Sequence, residues 1–500
     1  MAATAALSTM RNRPPARPPL ARPLGALLAP IALPIALTAC SGAGLPDAAR
    51  PTDANKWYLR AQQEFQGADV DNAHDAIAKA LAMVPADAEV RLLAARIALA
   101  RLDYAETLRL LKGVQSSEAA GLRGRALWYK GDLEGAADEL EAMLNDPDVV
   151  DDWAKSIAKL ARRGAGRVPF ALSGALLTAV EMPHVSQVAP FFVVPVEIDG
   201  EAALAMVSTG TGEVVVDSAT RQEPSWISLR FGKKLEVHDV PALAQDLSGI
   251  SKQLGAPIKA LLGVNLLRHM NATVDYGGRQ FVVRTFAPPA PPNSTRIDLF
   301  YMRGGGMVMR SGVSADKEIR GPLLVDTSMS FPLALDQGGW KKAGFDVSRL
   351  QPVAQDPEQK LKQGVVPMLR LGAYELPKVP GVYGAPLGDI EKQLKLDVDG
   401  VIGAGLLAYF RITFGEGGRV MWIEDDTAVD KVLRGSGPRQ GPVDEGQSPL
   451  PSDGPGLPGQ PPSAVPPAGA VPPAPQPSVV PPVAQQPGAA PGKAPRKTPN

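Results

Sequence analysis

The sequence predicts a multidomain chain: an N-terminal α-helical repeat, an all-β region in two lobes, and a disordered proline-rich tail. Three observations carry that expectation. Apolar residues recur at helical spacing from Lys56 to about Arg163, alternating β-branched stretches dominate from Val168 onward, and the β-rich part repeats itself along the chain. At 500 residues with 45% hydrophobic content, the chain is too long for one compact core. Its 52 basic residues balance 52 acidic ones, so no electrostatic footprint for nucleic acid is present.

The N-terminus carries Arg11, Arg13, Arg17 and Arg22, then the apolar run LGALLAPIALPIAL, then Thr38-Ala39-Cys40. A basic stretch, a short hydrophobic core and small residues before a cleavage point form a secretory signal pattern. The run is shorter than a spanning helix requires, and Pro30 and Pro34 interrupt it. Its end, Leu37-Thr38-Ala39-Cys40, resembles the bacterial lipoprotein signal. That resemblance implies removal of residues 1–39, lipidation of Cys40 and a lipid anchor in the membrane. Ser41 resembles the class sorted to the outer membrane, which places the chain in the bacterial envelope facing the periplasm. Cys40 is the only cysteine, so no disulfide or thiolate metal site forms within one mature molecule. Residues 40–55 read as a tether.

From residue 56 to 163, Ala73, Ile77 and Leu81 fall at i, i+4 and i+8, and Tyr104, Leu108 and Leu111 at i, i+4 and i+7. Ala136, Leu140 and Met143 repeat the theme. Ala73, Ala105 and Ala136 stand 32 and 31 positions apart, and Pro85 and Pro147 close two of the units. The segments QGADVDNAHDAIAKALAMVP and KGDLEGAADELEAMLNDP resemble tetratricopeptide repeats, paired helices with a small residue where the two cross. Such repeats imply a groove for peptides or partner proteins.

Residues 168–285 and 297–430 form two β-rich lobes joined by a proline-rich linker, 286–296. IS-KQLGAPIKALLGVNLL (250–267) matches IE-KQLKLDVDGVIGAGLL (390–407), pairing Lys252, Gln253 and Leu254 with Lys392, Gln393 and Leu394, and Gly263 with Gly403. The same offset pairs SLRFG (228–232) with MLRLG (368–372) and Gly278-Arg279 with Gly418-Arg419. This is an internal duplication. The tail, 436–500, has almost no large apolar side chains to offset its ordering entropy.

Each lobe contains an apolar run, a short polar turn and another apolar run: ALAMV-STGTG-EVVVD, then PLLV-DTSMS-FPLALD. Both end in an acid, Asp217 and Asp336. Later in each lobe an apolar pair precedes glycine, Leu261-Leu262-Gly263 and Val401-Ile402-Gly403. Over about residues 168–426 this combination resembles the aspartic peptidases, retropepsin-like in each lobe and pepsin-like as a pair. The resemblance implies one catalytic Asp per lobe, two carboxylates sharing a proton, one acting as base on water and the other as acid. It also implies that Thr209 and Thr327 lock the two loops together, and that the glycine after the threonine lets the backbone approach the substrate.

The chain departs from that pattern in both lobes. Lobe one has Ser208-Thr209-Gly210, so the acid is missing; lobe two has Asp326-Thr327-Ser328, so the acid survives and the glycine is serine. A serine hydroxyl does not take a proton near neutral pH, which makes loss of ordinary peptidase activity the expectation. Gly210 and Ser328 remain candidates for binding. The alternatives are an active endopeptidase using Asp326 with a second acid, or two Asp326 residues meeting between molecules. Asp217 is expected to cap a following helix rather than supply that acid. A third alternative is a structural spacer. No cofactor or metal is expected: His74, His184, His238 and His269 lack ligand spacing. STGTG lacks the serine hydrolase elbow, and Gly304-Gly305-Gly306 reads as a hairpin turn or flap. The expected function is capture of a peptide or protein partner at the cell envelope.

Overall fold

The structure is a computed structural model that describes residues 50–424, apart from 187–188, 315, 317–318, 354–359 and 395. The signal segment, Cys40 and the proline-rich tail lie outside the described residues. Seven helices come first: α1 (Thr52–Gln66), α2 (Val70–Met83), α3 (Ala88–Ala100), α4 (Tyr104–Leu111), α5 (Ser117–Lys130), α6 (Leu133–Leu144) and α7 (Asp152–Arg163). A β-rich region follows. Among the described residues no helix is long and apolar enough to cross a membrane.

Helices α2, α4 and α6 start alike. Asp69, Asp103 and Asp132 each accept a hydrogen bond from the backbone N–H three residues on, at 3.2, 3.0 and 3.1 Å. Each capping acid follows a residue in the left-handed region, Ala68 (φ 52), Leu102 (φ 61) and Gly131 (φ 87), which turns the chain back on its partner helix. The fourth residue from each cap is buried: Ala73, Thr107 and Ala136. Ala105, expected at the middle crossing from the alanine spacing, is exposed on α4 instead. The capping aspartates set the register, and that register turns Thr107 inward. Its hydroxyl donates to the Asp103 carbonyl at 2.8 Å, so the buried polar group is satisfied within the helix.

In the first lobe the strand order is Ala171–Gly174, Leu235–Gln245, Val214–Asp217, Ile258–Leu262, Glu201–Val207, Val193–Ile198 and Ser225–Phe231. The last of these also pairs with Leu235–Gln245, which closes the sheet on itself. The second lobe carries an eight-stranded sheet around Gly321–Asp326, Gly400–Gly403 and Leu333–Leu335. Both lobes share one device. The strand carrying the apolar pair, Ile258–Leu262 or Gly400–Gly403, runs parallel to the strand before the polar turn and antiparallel to the strand after it.

The apolar-apolar-glycine pattern has a packing cause. Gly403 has ordinary extended dihedrals (φ −104, ψ 177), but a Cβ there would collide with the Phe331 carbonyl, as one on Gly263 would with the Glu213 carbonyl. Gly403→Ala is therefore expected to lower the unfolding free energy by about 1–3 kcal/mol in denaturant titrations. Gly249, with nothing within 4 Å of its Cβ direction, is the control and its alanine variant should be close to neutral.

A six-stranded sheet joins the lobes, in the order Thr295–Asp298, Val420–Glu424, Arg411–Gly415, Thr273–Asp275, Gln280–Arg284 and Leu177–Glu181. Each lobe supplies three strands. At the centre Thr273 pairs with Thr413, and their hydroxyls meet at 2.8 Å across a separation of 140 residues. That separation is the offset of the duplication, so the two copies face each other through equivalent residues. The strand Thr295–Asp298 begins inside the segment read as linker.

The equivalence fails next to the polar turns. Asp336 caps the helix Gln337–Lys342 through the Gly339 N–H at 2.6 Å. Asp217 caps no helix: it closes a turn through the Ala219 N–H at 3.3 Å and pairs with Lys259 at 3.0 Å. Pro224 and the strand starting at Ser225 follow too soon for a helix to form.

The helices pack on both lobes. Residues of α1 to α5 share an apolar cluster with Phe300, Met302, Leu324 and Met329 of lobe two. Helices α6 and α7 pack against Trp226 and Leu243 of lobe one, and the Trp226 indole donates to the Leu160 carbonyl at 3.0 Å. Asp69 also pairs with Arg310, and Asp151 bridges Arg125 and Arg303 at 2.8 and 3.1 Å. The hairpin turn at Gly304 (φ 83) approaches Tyr129 so closely that no side chain fits there.

His269 ends the short helix Val264–His269, stacked on Phe170 at 4.5 Å with Nδ1 against the Asn265 carbonyl at 2.5 Å. Burial, and then the adjacent Arg268 charge, hold its pKa down at about 4. The unfolded chain takes up this proton near pH 6.5 and the folded one does not, so stability falls as pH drops from about 6.5 towards 4. His269→Gln should flatten that part of the profile, by about 2–3 kcal/mol at its lower end, in urea titrations across the range.

Candidate functional site

The loop Ser208-Thr209-Gly210 leaves the strand Glu201–Val207, and Asp326 ends the strand Gly321–Asp326, so each loop is held at the end of a buried strand. The two loops interlock. The Thr209 hydroxyl donates to the Val325 carbonyl at 2.7 Å and accepts the Thr327 N–H at 3.0 Å. In return the Thr327 hydroxyl donates to the Val207 carbonyl at 2.8 Å and accepts the Thr209 N–H at 3.1 Å. Thr209 and Thr327 are buried, so the Thr209 and Thr327 N–H groups and the Val207 and Val325 carbonyls each find a partner in a threonine hydroxyl.

The interlock sets Asp326 against lobe one. Its Oδ1 accepts from the Ser328 N–H at 2.9 Å and the Ser328 hydroxyl at 2.6 Å, and its carboxyl also accepts from the Gly210 N–H. A Cβ on Gly210 would lie 2.5 Å from Asp326 Cγ, so only glycine admits the carboxyl at that place. Gly210 needs no left-handed backbone; close approach is what its glycine serves. Ser208 is 1% exposed and its N–H donates to the Leu262 carbonyl at 3.0 Å.

Desolvation raises the Asp326 pKa above the usual carboxylate range, against the Ser328 and Gly210 hydrogen bonds that favour the charged form. None of these groups is acidic. A single carboxyl with a raised pKa can donate a proton or accept one, but it lacks the neighbour that would divide those two roles. Ser328, which follows Thr327 as Gly210 follows Thr209, uses its hydroxyl as a ligand of this carboxyl.

Sequence reasoning passed over Glu213, three residues beyond Gly210. It is 4% exposed and its Oε1 accepts from Trp128 Nε1 at 3.3 Å and Asn265 Nδ2 at 3.1 Å. An acid at the head of the buried run EVVVD was the signal that pointed to it. Gly212 also meets Gly305 of the second-lobe hairpin, with 3.1 Å between a Cβ on Gly212 and Gly305 Cα. Among the described residues no group of three His, Cys, Asp or Glu could hold a metal ion.

No family model matches the sequence, and no curated protein is significantly similar to it. Among solved structures, the chain is similar to a retropepsin-like aspartic protease from Rickettsia conorii, with 20% identity over 28% of this chain and 95% of that one, TM-score 0.21. It is also similar to Basic 7S globulin from soybean, with 10% identity over 51% of this chain and 95% of that one, TM-score 0.34.

Proposed function

We propose that the β region is an aspartic-peptidase-like pair of lobes that binds extended peptide or protein segments without hydrolysing them. One observation carries this reading: the interlocked threonine loops are complete, yet the surviving Asp326 faces the Gly210 backbone and Ser328 in place of a second carboxylate. Removing one acid abolishes the shared-proton chemistry and leaves the cleft that would hold a substrate backbone. In this reading the helices are tetratricopeptide-like repeats that present the partner to the lobes on which they pack. The chain is a lipoprotein anchored through Cys40 in the outer membrane and facing the periplasm.

The test is direct. The full-length chain is incubated with a mixture of extended peptides from about pH 3 to pH 7 and assayed for retention and for cleavage. Retention without cleavage is expected. Cleavage that disappears in Asp326→Asn would show an active endopeptidase and overturn the reading. Mass analysis of the mature N-terminal peptide tests the anchor, with the acyl groups expected on Cys40 and absent from Cys40→Ser.

A further inference from the structure

Asp326 differs from the other aspartates held inside the fold. Asp69, Asp217 and Asp399, each at 9% exposure or less, carry a cation: Arg310, Lys259 at 3.0 Å and Lys342 at 2.7 Å. Asp151 carries two, Arg125 at 2.8 Å and Arg303 at 3.1 Å. Among the described residues Asp326 has none. The groups that act on its carboxyl are neutral, Ser328 and the Gly210 N–H, and no titratable side chain faces it from either lobe or from the helices.

This carboxyl can be reached from solvent. Asp326 and Ser328 are half-buried and Gly210 is exposed, so the seam between the two loops is open here, although Ser208 beside it is sealed. A carboxylate offers about four acceptor positions on its two oxygens. Ser328 fills two on Oδ1, through its N–H at 2.9 Å and its hydroxyl at 2.6 Å, and the Gly210 N–H fills another. One position remains, on a group whose charge no cation offsets.

We propose that Asp326 anchors a primary ammonium carried by the extended segment in the cleft, from a lysine side chain or a free N-terminus. This deepens the peptide-binding reading above and rests on it. A backbone N–H would fill the remaining position and leave the charge unpaired; an ammonium fills it and supplies the countercharge. A guanidinium fork needs two neighbouring positions for its bidentate bond, whereas the compact ammonium needs one. Ser208 contributes to the same end. With no acid across the seam, Asp326 shares its proton with no second carboxyl, and an arriving cation favours its charged form.

The experiment offers the immobilised full-length chain three peptide mixtures, each randomised over uncharged residues. One is acetylated with a central lysine, one is acetylated with norleucine in that place, and one is the norleucine mixture with a free N-terminus. Retained peptides are measured by mass spectrometry. At about pH 7, one or both ammonium mixtures should be enriched about tenfold or more over the acetylated norleucine mixture. Which of them is enriched identifies the source of the ammonium. Retention should weaken as pH is lowered from about 7 towards 4, because the ligand keeps its proton while Asp326 takes one up. Ser328→Ala removes a donor that favours the charged carboxyl, so it should move that loss to higher pH. Asp326→Asn should bring the ammonium mixtures down to the norleucine level. Because this loop also joins the lobes and the variant's folding is at risk, the comparison of mixtures on the unaltered protein decides. Equal retention of all three mixtures would overturn the proposal and leave the peptide-binding reading standing; no retention of any would remove both. An ammonium preference that persists in a folded Asp326→Asn protein would overturn the proposal by assigning the preference to another acid.

Discussion

Ser208→Asp is expected to gain an acid-dependent endopeptidase activity that, on the proposed reading, the parent lacks. Positions 208 and 326 directly precede the two interlocked threonines, which are 118 residues apart, so the new carboxyl enters the place equivalent to Asp326 across the loop interface. Two carboxyls so placed share a proton and one pKa rises strongly, which restores separate acid and base roles. Cleavage of the peptide mixture should appear between about pH 3 and pH 5, at least 10²-fold above the parent, and vanish in the Ser208→Asp/Asp326→Asn double variant. Stability carries an independent sign. The introduced acid is buried, so its folded pKa lies above its unfolded one, and the variant should lose stability relative to the parent as pH rises through about 4 towards 7. A folded Ser208→Asp protein that stays silent at every pH would mean that the loops do not present a peptidase geometry, and the cleft reading would fall.

Thr209→Val and Thr327→Val carry the largest expected stability losses. Each substitution keeps the shape of the side chain and orphans one N–H and one carbonyl in a fully buried place: Thr327 N–H with Val325 O, or Thr209 N–H with Val207 O. At about 1–3 kcal/mol for each of the two unsatisfied groups, a single variant should lose about 2–6 kcal/mol in denaturant unfolding. The double variant should lose less than the sum, by about 0.5–1 kcal/mol or more, because the first substitution already loosens the loops that the second acts on. Thr→Ser at either position keeps the hydroxyl and should recover most of the loss. If Thr→Ser proved as damaging as Thr→Val, the methyl packing and not the hydrogen bonds would hold the lobes at this point.

These two experiments also separate what was legible from what was not. Ser208, Thr209, Asp326 and Thr327 could be picked out by eye because each sits in a short polar turn between apolar runs. What each one touches could not. The Ser328 hydroxyl on Asp326, the Gly210 backbone beneath its carboxyl and the collision that forces glycine at Gly403 are all contacts made by folding. Asp217 and Asp336 look alike along the chain and differ in three dimensions, one closing a turn with Lys259 and the other starting a helix.

By itself the sequence determined the helical periodicity of the first part, the duplication of the β-rich part, the paired threonines, and the serine before Thr209 where the second lobe has Asp326 before Thr327. These are properties of short windows, where alternation and spacing report which face of an element is apolar. Only the tertiary structure decided that the copies meet through Thr273 and Thr413 in one shared sheet, that the helices rest on both lobes, and that Glu213 meets Asn265. Even within one lobe the Glu213–Asn265 bond spans 52 residues, and the threonine interlock spans 118. Desolvation, which raises Asp326 and lowers His269, depends on what packs around a group and not on its neighbours in the chain. Local pattern selects the elements; the burial that tunes their side chains exists only once those elements are packed.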